Sequence, residues 1–192
     1  MASIYKCCHG KTIRPGKGWT DKDGTQHPSN WHTSWSSADK AAAGITEIVQ
    51  QSPPDSRLYT WSHNEDGTVN AKPKPLDDVP MVDKDGSPVL DHLGNHLISL
   101  GVKSVLKAEV DKQQGSILAQ SDWCVIREAD TGKAVPAAIK DWRDGIRASG
   151  DAMCSAIDAA ADHDAIAALF VWHDVNGAKN GILYDWPEKP GG

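Results

Sequence analysis

The chain has almost no phenylalanine, no surplus of positive charge, no long apolar run and no cysteine framework. One Phe and three Tyr stand beside eight Trp, so aromatic packing rests on indoles, whose large, rigid, amphipathic rings suit both cores and binding surfaces. Lys and Arg number 20 against 26 Asp and Glu, a net charge of −6. With no basic face to meet a phosphate backbone, nucleic-acid binding is not expected. No stretch reaches the roughly 18 consecutive apolar residues of a membrane-spanning helix. The start, MASIYKCCHGK, has no apolar signal core, so a secretory route is not expected. Cysteines stand at 7, 8, 124 and 154. Two adjacent ones exclude a two-bridge framework, and free thiols in a reducing cytoplasm are expected.

What is present supports a folded chain. At 192 residues, 39% hydrophobic and 24% charged, it suffices for one large domain or two small ones, and it is not disordered by composition. Residues 1–96 carry most of the turn signals and six of the eight His. DKDG at 21–24, NEDG at 64–67 and DKDG at 83–86 lie between short β-tolerant segments such as RLYTW and TVNA. That is hairpin patterning, because Asp-Gly supplies the positive φ of a tight turn. The two DKDG copies share nothing beyond the turn, so no repeat is inferred. Ser36 caps a short helix with Asp39 three residues on, and Gly44 ends it. AKPKPLDDVP (71–80) reads as extended loop.

From about residue 97 the period becomes helical. Val102, Val105, Leu106 and Val110 form one stripe. Pro136 suits the first position of a second helix carrying Ile139, Trp142, Ile146, Met153 and Ile157 on one face. Asp162 caps a third helix with Ile166, Leu169 and Phe170. The tail, FVWHDVNGAKNGILYDWP, returns to hairpin chemistry with two Asn-Gly pairs. The expected fold class is α+β: a β-rich domain over 1–96, then an α-helical domain over 97–192 with a terminal hairpin.

No chemical motif survives inspection. HGKT (9–12) ends like a phosphate loop, but that pattern needs Gly where Tyr5 stands, and Pro15 follows where a helix is required. Cys7, Cys8 and His9 lack the second ligand pair of a structural zinc site, with His27 and His32 the nearest candidates, so no metal is expected. His92 and His96 flank Gly94 in a loop. Asp162-His163-Asp164 has no partner nucleophile, and Asp158 with Asp162 is an ordinary surface pair. No catalytic residue and no cofactor is assigned.

The stretch SDWCVIREADTGKAVP (121–136) puts an indole, a thiol, an arginine and carboxylates close together. Its spacing reads as a packed helix: Ser121 or Asp122 caps it, Trp123, Ile126 and Ala129 share a face, and Gly132 stops it. Burial of Trp123 and Ile126 is expected to contribute roughly 4–6 kcal/mol. Cys124 falls off that stripe and lacks the neighbouring cation of a reactive thiolate. Arg127 is placed to pair with Asp122, near Glu128, or with a partner chain.

The longer segment SILAQSDWCVIREADTGKAVPAAIKDWRDGIRA resembles the C-terminal segment of tail fibre assembly proteins of tailed bacteriophages. The shared elements are Ile117-Leu118-Ala119, Asp122-Trp123, Val125-Ile126-Arg127, Gly132, Pro136 and Trp142-Arg143. DGTQHPSNW (23–31), DSRLYTW (55–61) and the ending LYDWP are similar to elements of some of these proteins. The match covers about a third of the chain. Cys124 stands where an aromatic is usual and Gln120 where Pro is frequent.

The resemblance implies a phage-encoded chaperone that helps a trimeric tail fibre fold in the host cytoplasm and is absent from the mature virion. It implies no catalytic residues. A fibre subunit exposes strand edges and apolar faces until three chains intertwine, and a helper without ATP acts on them by binding. Trp19, Trp31, Trp35 and Trp61 are the expected fibre contacts. The apolar faces of the helices from 102 and 136 are expected to join copies, as a homotrimer in a 3:3 complex with the fibre. The alternative is a small structural component of the fibre or baseplate retained in the virion.

Overall fold

The structure, a computed structural model, describes residues 3–7, 9–21, 23–170, 172–173 and 179–190, without the side chains of 172–173 and 179–180. The fold is α+β, with antiparallel hairpins followed by helices. It divides into two compact units, Met1–Lys72 and Pro73–Gly192. The division falls upstream of the expected 96/97 boundary, because residues 73–96 bond to the helical unit.

In the first unit, β1 (Ser3–Lys6), β2 (Thr12–Ile13), β3 (Trp19–Thr20) and β4 (Gln26–His27) precede two short helices, α1 (Trp31–Ser34) and α2 (Ser37–Ala42). Then come β5 (Thr46–Val49), β6 (Tyr59–His63) and β7 (Val69–Pro73). The sheet order is β2-β1-β5, antiparallel throughout, with Ile4 opposite Ile48. The DKDG and NEDG turns close β3–β4 and β6–β7 as expected. Ser36 and Asp39 form the expected capping box on α2, and Gly44 follows at φ +70°. Cys7, Ile13, Trp19, Trp31 and Ile45 form the core, with Tyr5, Trp35 and Ala43 against it. The β6–β7 hairpin meets the end of β5 at Gly67, which sits at φ +84°. A Cβ there would stand 2.6 Å from the Val49 carbonyl oxygen, so only glycine fits.

The second unit begins with β8 (Val79–Pro80) and β9 (Ile98–Ser99), then α3 (Val102–Ala119), α4 (Asp122–Thr131), α5 (Ala137–Ala159) and α6 (His163–Leu169). It ends with the expected hairpin, β10 (Trp172–His173) and β11 (Lys179–Asn180). The Asn176-Gly177 pair lies outside the described residues. Pro136 occupies the cap position of α5, one residue before the expected first turn. α3 and α5 pack through Val102, Leu106 and Val110 against Trp142, Ile146, Met153 and Ile157, all buried. Each of these side chains contributes roughly 1.5–3 kcal/mol of burial. Val105, expected on the α3 stripe, is exposed. Asp162 caps α6 as expected, accepting from the Ala165 N–H at 2.8 Å. The C-terminal strap is pinned by two indoles: Trp142 donates to the Pro187 carbonyl and Trp186 to Gln113, each at 3.0 Å.

Residues 79–99 form a small ring absent from the sequence reading. Met81 N–H donates to the Leu97 carbonyl at 2.8 Å, Leu97 N–H to Val89 at 2.9 Å, and Val89 N–H to Met81 at 2.9 Å, closing a cycle. The bridges repeat the same relation: Val82 pairs with Pro88, Leu90 with His96, and Ile98 with Pro80. Equivalent residues recur every eight positions, PMVDKDGS then PVLDHLGN then HLIS. The ring therefore has pseudo-threefold symmetry within one chain. Two of its corners are locked alike. Asp83 Oδ1 accepts from the N–H groups of Asp85 and Ser87, both at 2.9 Å; Asp91 Oδ1 accepts from Leu93 at 2.8 Å and Asn95 at 2.9 Å. Gly86 and Gly94 supply the positive φ. The stretch 71–80, expected as loop, thus contributes the end of β7 and, through β8, one side of the ring. Its stem is tied to the helices by Val102 N–H to the Pro75 carbonyl at 2.9 Å, Lys103 N–H to Leu76 at 3.0 Å, and His163 to Lys74 at 2.8 Å.

Candidate functional site

The four N-terminal tryptophans separate into core and surface. Trp31 is fully buried, donates its indole N–H to the Lys17 carbonyl at 2.9 Å and meets Tyr5 edge-on at 5.1 Å. Trp19, 9% exposed, stacks on His27 with ring centroids 4.4 Å apart, and His27 meets the half-buried Trp35 edge-on at 5.2 Å. Asp21 holds His27 at 3.0 Å. Burial raises the Asp21 pKa, but bonds from Thr25, His27 and Asp23 outweigh it and hold the carboxyl below its ordinary value. Packing thus claims Trp19 and Trp31 and partly covers Trp35, so these rings are not the free contact surface expected of them. Trp61 on β6 is the exception: it is exposed, beside His63, at a shallow notch shared with Thr60, Asn70 and Lys72. Trp19 Nε1 is buried with no hydrogen-bond partner among the described residues, next to an open pocket of about 340 Å³ flanked by Lys11, Arg14 and Lys17.

Three of the residues that carry the resemblance, Leu118, Asp122 and Arg143, meet at the α3–α4 junction. Arg143, buried on α5, directs Nη1 at the Leu118 carbonyl at 2.8 Å, Ser121 Oγ at 2.7 Å and Asp122 Oδ1 at 2.9 Å. One guanidinium therefore pins the end of α3 and the start of α4 to α5. Ser121 occupies the N-cap position, yet its hydroxyl bonds back to Leu118 and to Arg143, not to the first turn of α4. Gly132 ends α4 in the left-handed conformation, as expected.

The expected burial of Trp123 and Ile126 is overturned. Trp123 is 58% exposed and Ile126 60%, while Cys124, expected off the packed face, is buried. The physical reason is that four successive apolar residues, 123–126, surround most of the helix, so periodicity does not select its inner face. Among the described residues Arg127 pairs with no carboxylate. Its guanidinium lies 4.9 Å from the Trp123 ring centroid, and Nε is buried without a partner among the described residues. Trp123 and Ile126, one turn apart, thus leave apolar surface exposed on a helix pinned at its start, and Val125 is exposed beside Ile126.

The remaining candidates fall to ordinary roles. Asp158 pairs with Lys107 at 2.7 Å, while Asp162 caps α6, so the two share no proton. Cys7, Cys124 and Cys154 are free thiols; Cys8 lies outside the described residues. Burial, with Asp111 nearby, raises the Cys154 pKa. Among the described residues no group of three His, Cys, Asp or Glu is placed to hold a metal ion. No helix there is long and apolar enough to cross a membrane.

Among the described residues, exposed large apolar side chains concentrate on the ring and the residue that follows it. Eight large apolar side chains between Val79 and Leu100 are 39–74% exposed, and no residue from 77 to 100 is buried. Sequence reasoning missed this element, although its signal was legible: two octapeptides, each with Pro, two apolar residues, Asp, and Gly at the seventh place.

Comparison of the chain with models of known families, with curated proteins and with solved structures found no match.

Proposed function

We propose that the chain is a tail fibre assembly chaperone of a tailed bacteriophage, which binds fibre subunits in the host cytoplasm and promotes their folding and trimerisation without ATP. The observation that carries this reading is apolar surface left uncovered on ordered backbone: Trp61, the α4 patch and the ring. Such surface marks binding sites. The α4 patch falls within the segment that resembles these chaperones, and Asp122 and Arg143 of that segment hold it in place. The protein acts by contact, stabilising an assembly-competent fibre chain and shielding its edges until three chains meet.

Co-expression with the tail fibre protein of the same phage tests the reading. Soluble, protease-resistant fibre trimer is expected only when this chain is present, and the chain is expected to be depleted from purified particles. Equal yield of folded fibre without it would overturn the proposal. Stoichiometric retention in the virion would favour a structural component instead.

A further inference from the structure

We propose that the ring at residues 79–99 docks on a partner with true threefold symmetry, one copy of this chain seated on the axis of a trimer. This rests on the fibre reading and specifies how the chain meets the finished or closing trimer. Three observations lead to it.

The first is symmetry. The cycle Met81–Leu97–Val89 and the three matching bridges give one polypeptide a threefold backbone pairing about one axis, with two of its three sides closed by Asp-locked turns and the third opening into the stem. Val82, Leu90 and Ile98 occupy the same place in the three repeats and are similarly exposed, at 58%, 50% and 45%. A trimer presents three identical surfaces, and a single chain meets all three alike only if it carries a threefold element of its own.

The second is exposed surface. With no buried residue from 77 to 100, the segment is ordered by backbone bonds and Asp-locked turns without a core. Ordering that much chain costs conformational entropy that internal burial does not offset, which points to burial on a partner. The seven large apolar side chains exposed on the ring, Val79, Met81, Val82, Leu90, Leu93, Leu97 and Ile98, make a patch of the kind that marks an interaction site.

The third is charge. The corners carry Asp83, Asp85 and Asp91 against the single Lys84. Two rings face to face would bring like charges together, which disfavours a second copy. A trimer tip with an apolar centre and a basic rim is complementary. The arrangement also replaces a homotrimer joined by the helical stripes, since those stripes are filled by α3–α5 packing within the chain.

Native mass spectrometry of the full-length chain co-purified with its fibre tests the stoichiometry. One chain per fibre trimer is expected, and a 3:3 ratio overturns the inference. Val82→Asp, Leu90→Asp and Ile98→Asp, made singly, should each weaken binding at least about tenfold, by similar factors, while the melting temperature of the free chain is unchanged. Binding as tight as wild type in the triple variant also overturns it. If one of these variants fails to fold, a photo-crosslinker at Leu90 must capture the fibre, and failure to do so counts against docking. Concentration-dependent self-association of the free chain, abolished by these substitutions, would make a second copy the occupant and overturn the trimer. No complex at all with the wild-type chain would overturn the fibre reading and this inference with it, whereas a complex that ignores the ring overturns the inference alone.

Discussion

At the scale of single residues, the segment that resembles fibre chaperones divides its labour between one buried charge and one exposed ring. Arg143 satisfies three oxygen acceptors from a buried position, so Arg143→Met takes the charged donor from the Ser121 hydroxyl and the Asp122 carboxylate and one of the donors from the Leu118 carbonyl, which still accepts from Ser121. A loss of about 2–3 kcal/mol is expected, read as a lowered denaturation midpoint. Trp123→Ala removes a half-exposed ring stacked by Arg127 and should cost less than about 1 kcal/mol while weakening fibre binding. The reverse order of the two effects would return Trp123 to the core. Acid acts on the ring's corners. Asn95's backbone and side chain, then Leu93 and Gly94, hold the Asp91 carboxyl below its ordinary value of 3.8. A depressed pKa stabilises the fold above 3.8, and the contribution is lost as pH falls through the lower folded value. Leu93 and Asn95 amide shifts should therefore hold near pH 4 and move only at lower pH in the wild type. In Asp91→Asn that titration should be absent.

At the scale of elements, legibility followed how strongly each element's pattern excludes alternatives. α5 was readable because Trp142, Ile146, Met153 and Ile157 lie on one face and polar residues on the others, leaving one way to pack. The capping box on α2 and the Asp-Gly hairpins were equally plain, since few residues satisfy those geometries. α4 was not, because its apolar residues are consecutive, and the buried side was chosen by Arg143 from another helix. The ring escaped because its repeats are short, its strands are single bridges, and the third copy keeps only the apolar pair. The tryptophans of the first unit were visible as residues, but their partition between core and surface depends on long-range partners such as Lys17 and His27. Turns of one sequence type also differ in what surrounds them. Gly86→Ala meets only its positive φ, with nothing within 4 Å, and should cost about 1–2 kcal/mol. Gly67→Ala has the same φ problem and also collides with the Val49 backbone, so it should cost more and loosen the β6–β7 hairpin from β5. Paired thermal melts of the two variants check the order.

At the scale of the whole molecule, the position of the unit boundary decides which fragments fold. A cut at 96/97 follows the change of sequence period but severs the ring and removes its stem. Without residues 73–96, the Val102 and Lys103 N–H groups lose the Pro75 and Leu76 carbonyls, and His163 loses the Lys74 carbonyl. The Gly101 N–H also loses Asp78 Oδ1, a bond of 2.7 Å that helps hold the Asp78 carboxyl below its ordinary value. Each lost bond is worth roughly 0.5–1.5 kcal/mol, and the first turn of α3 carries most of them. The fragment 73–192 should therefore unfold cooperatively at a higher denaturant midpoint than 97–192, with amides 102–106 the most strongly deprotected by the shorter cut. Both fragments keep the α3–α5 core, so both should remain helical by circular dichroism, which separates loss of the stem from loss of the fold. If 97–192 matches 73–192 in midpoint and in protection at the start of α3, the stem is an appendage and the 96/97 boundary is the physical one.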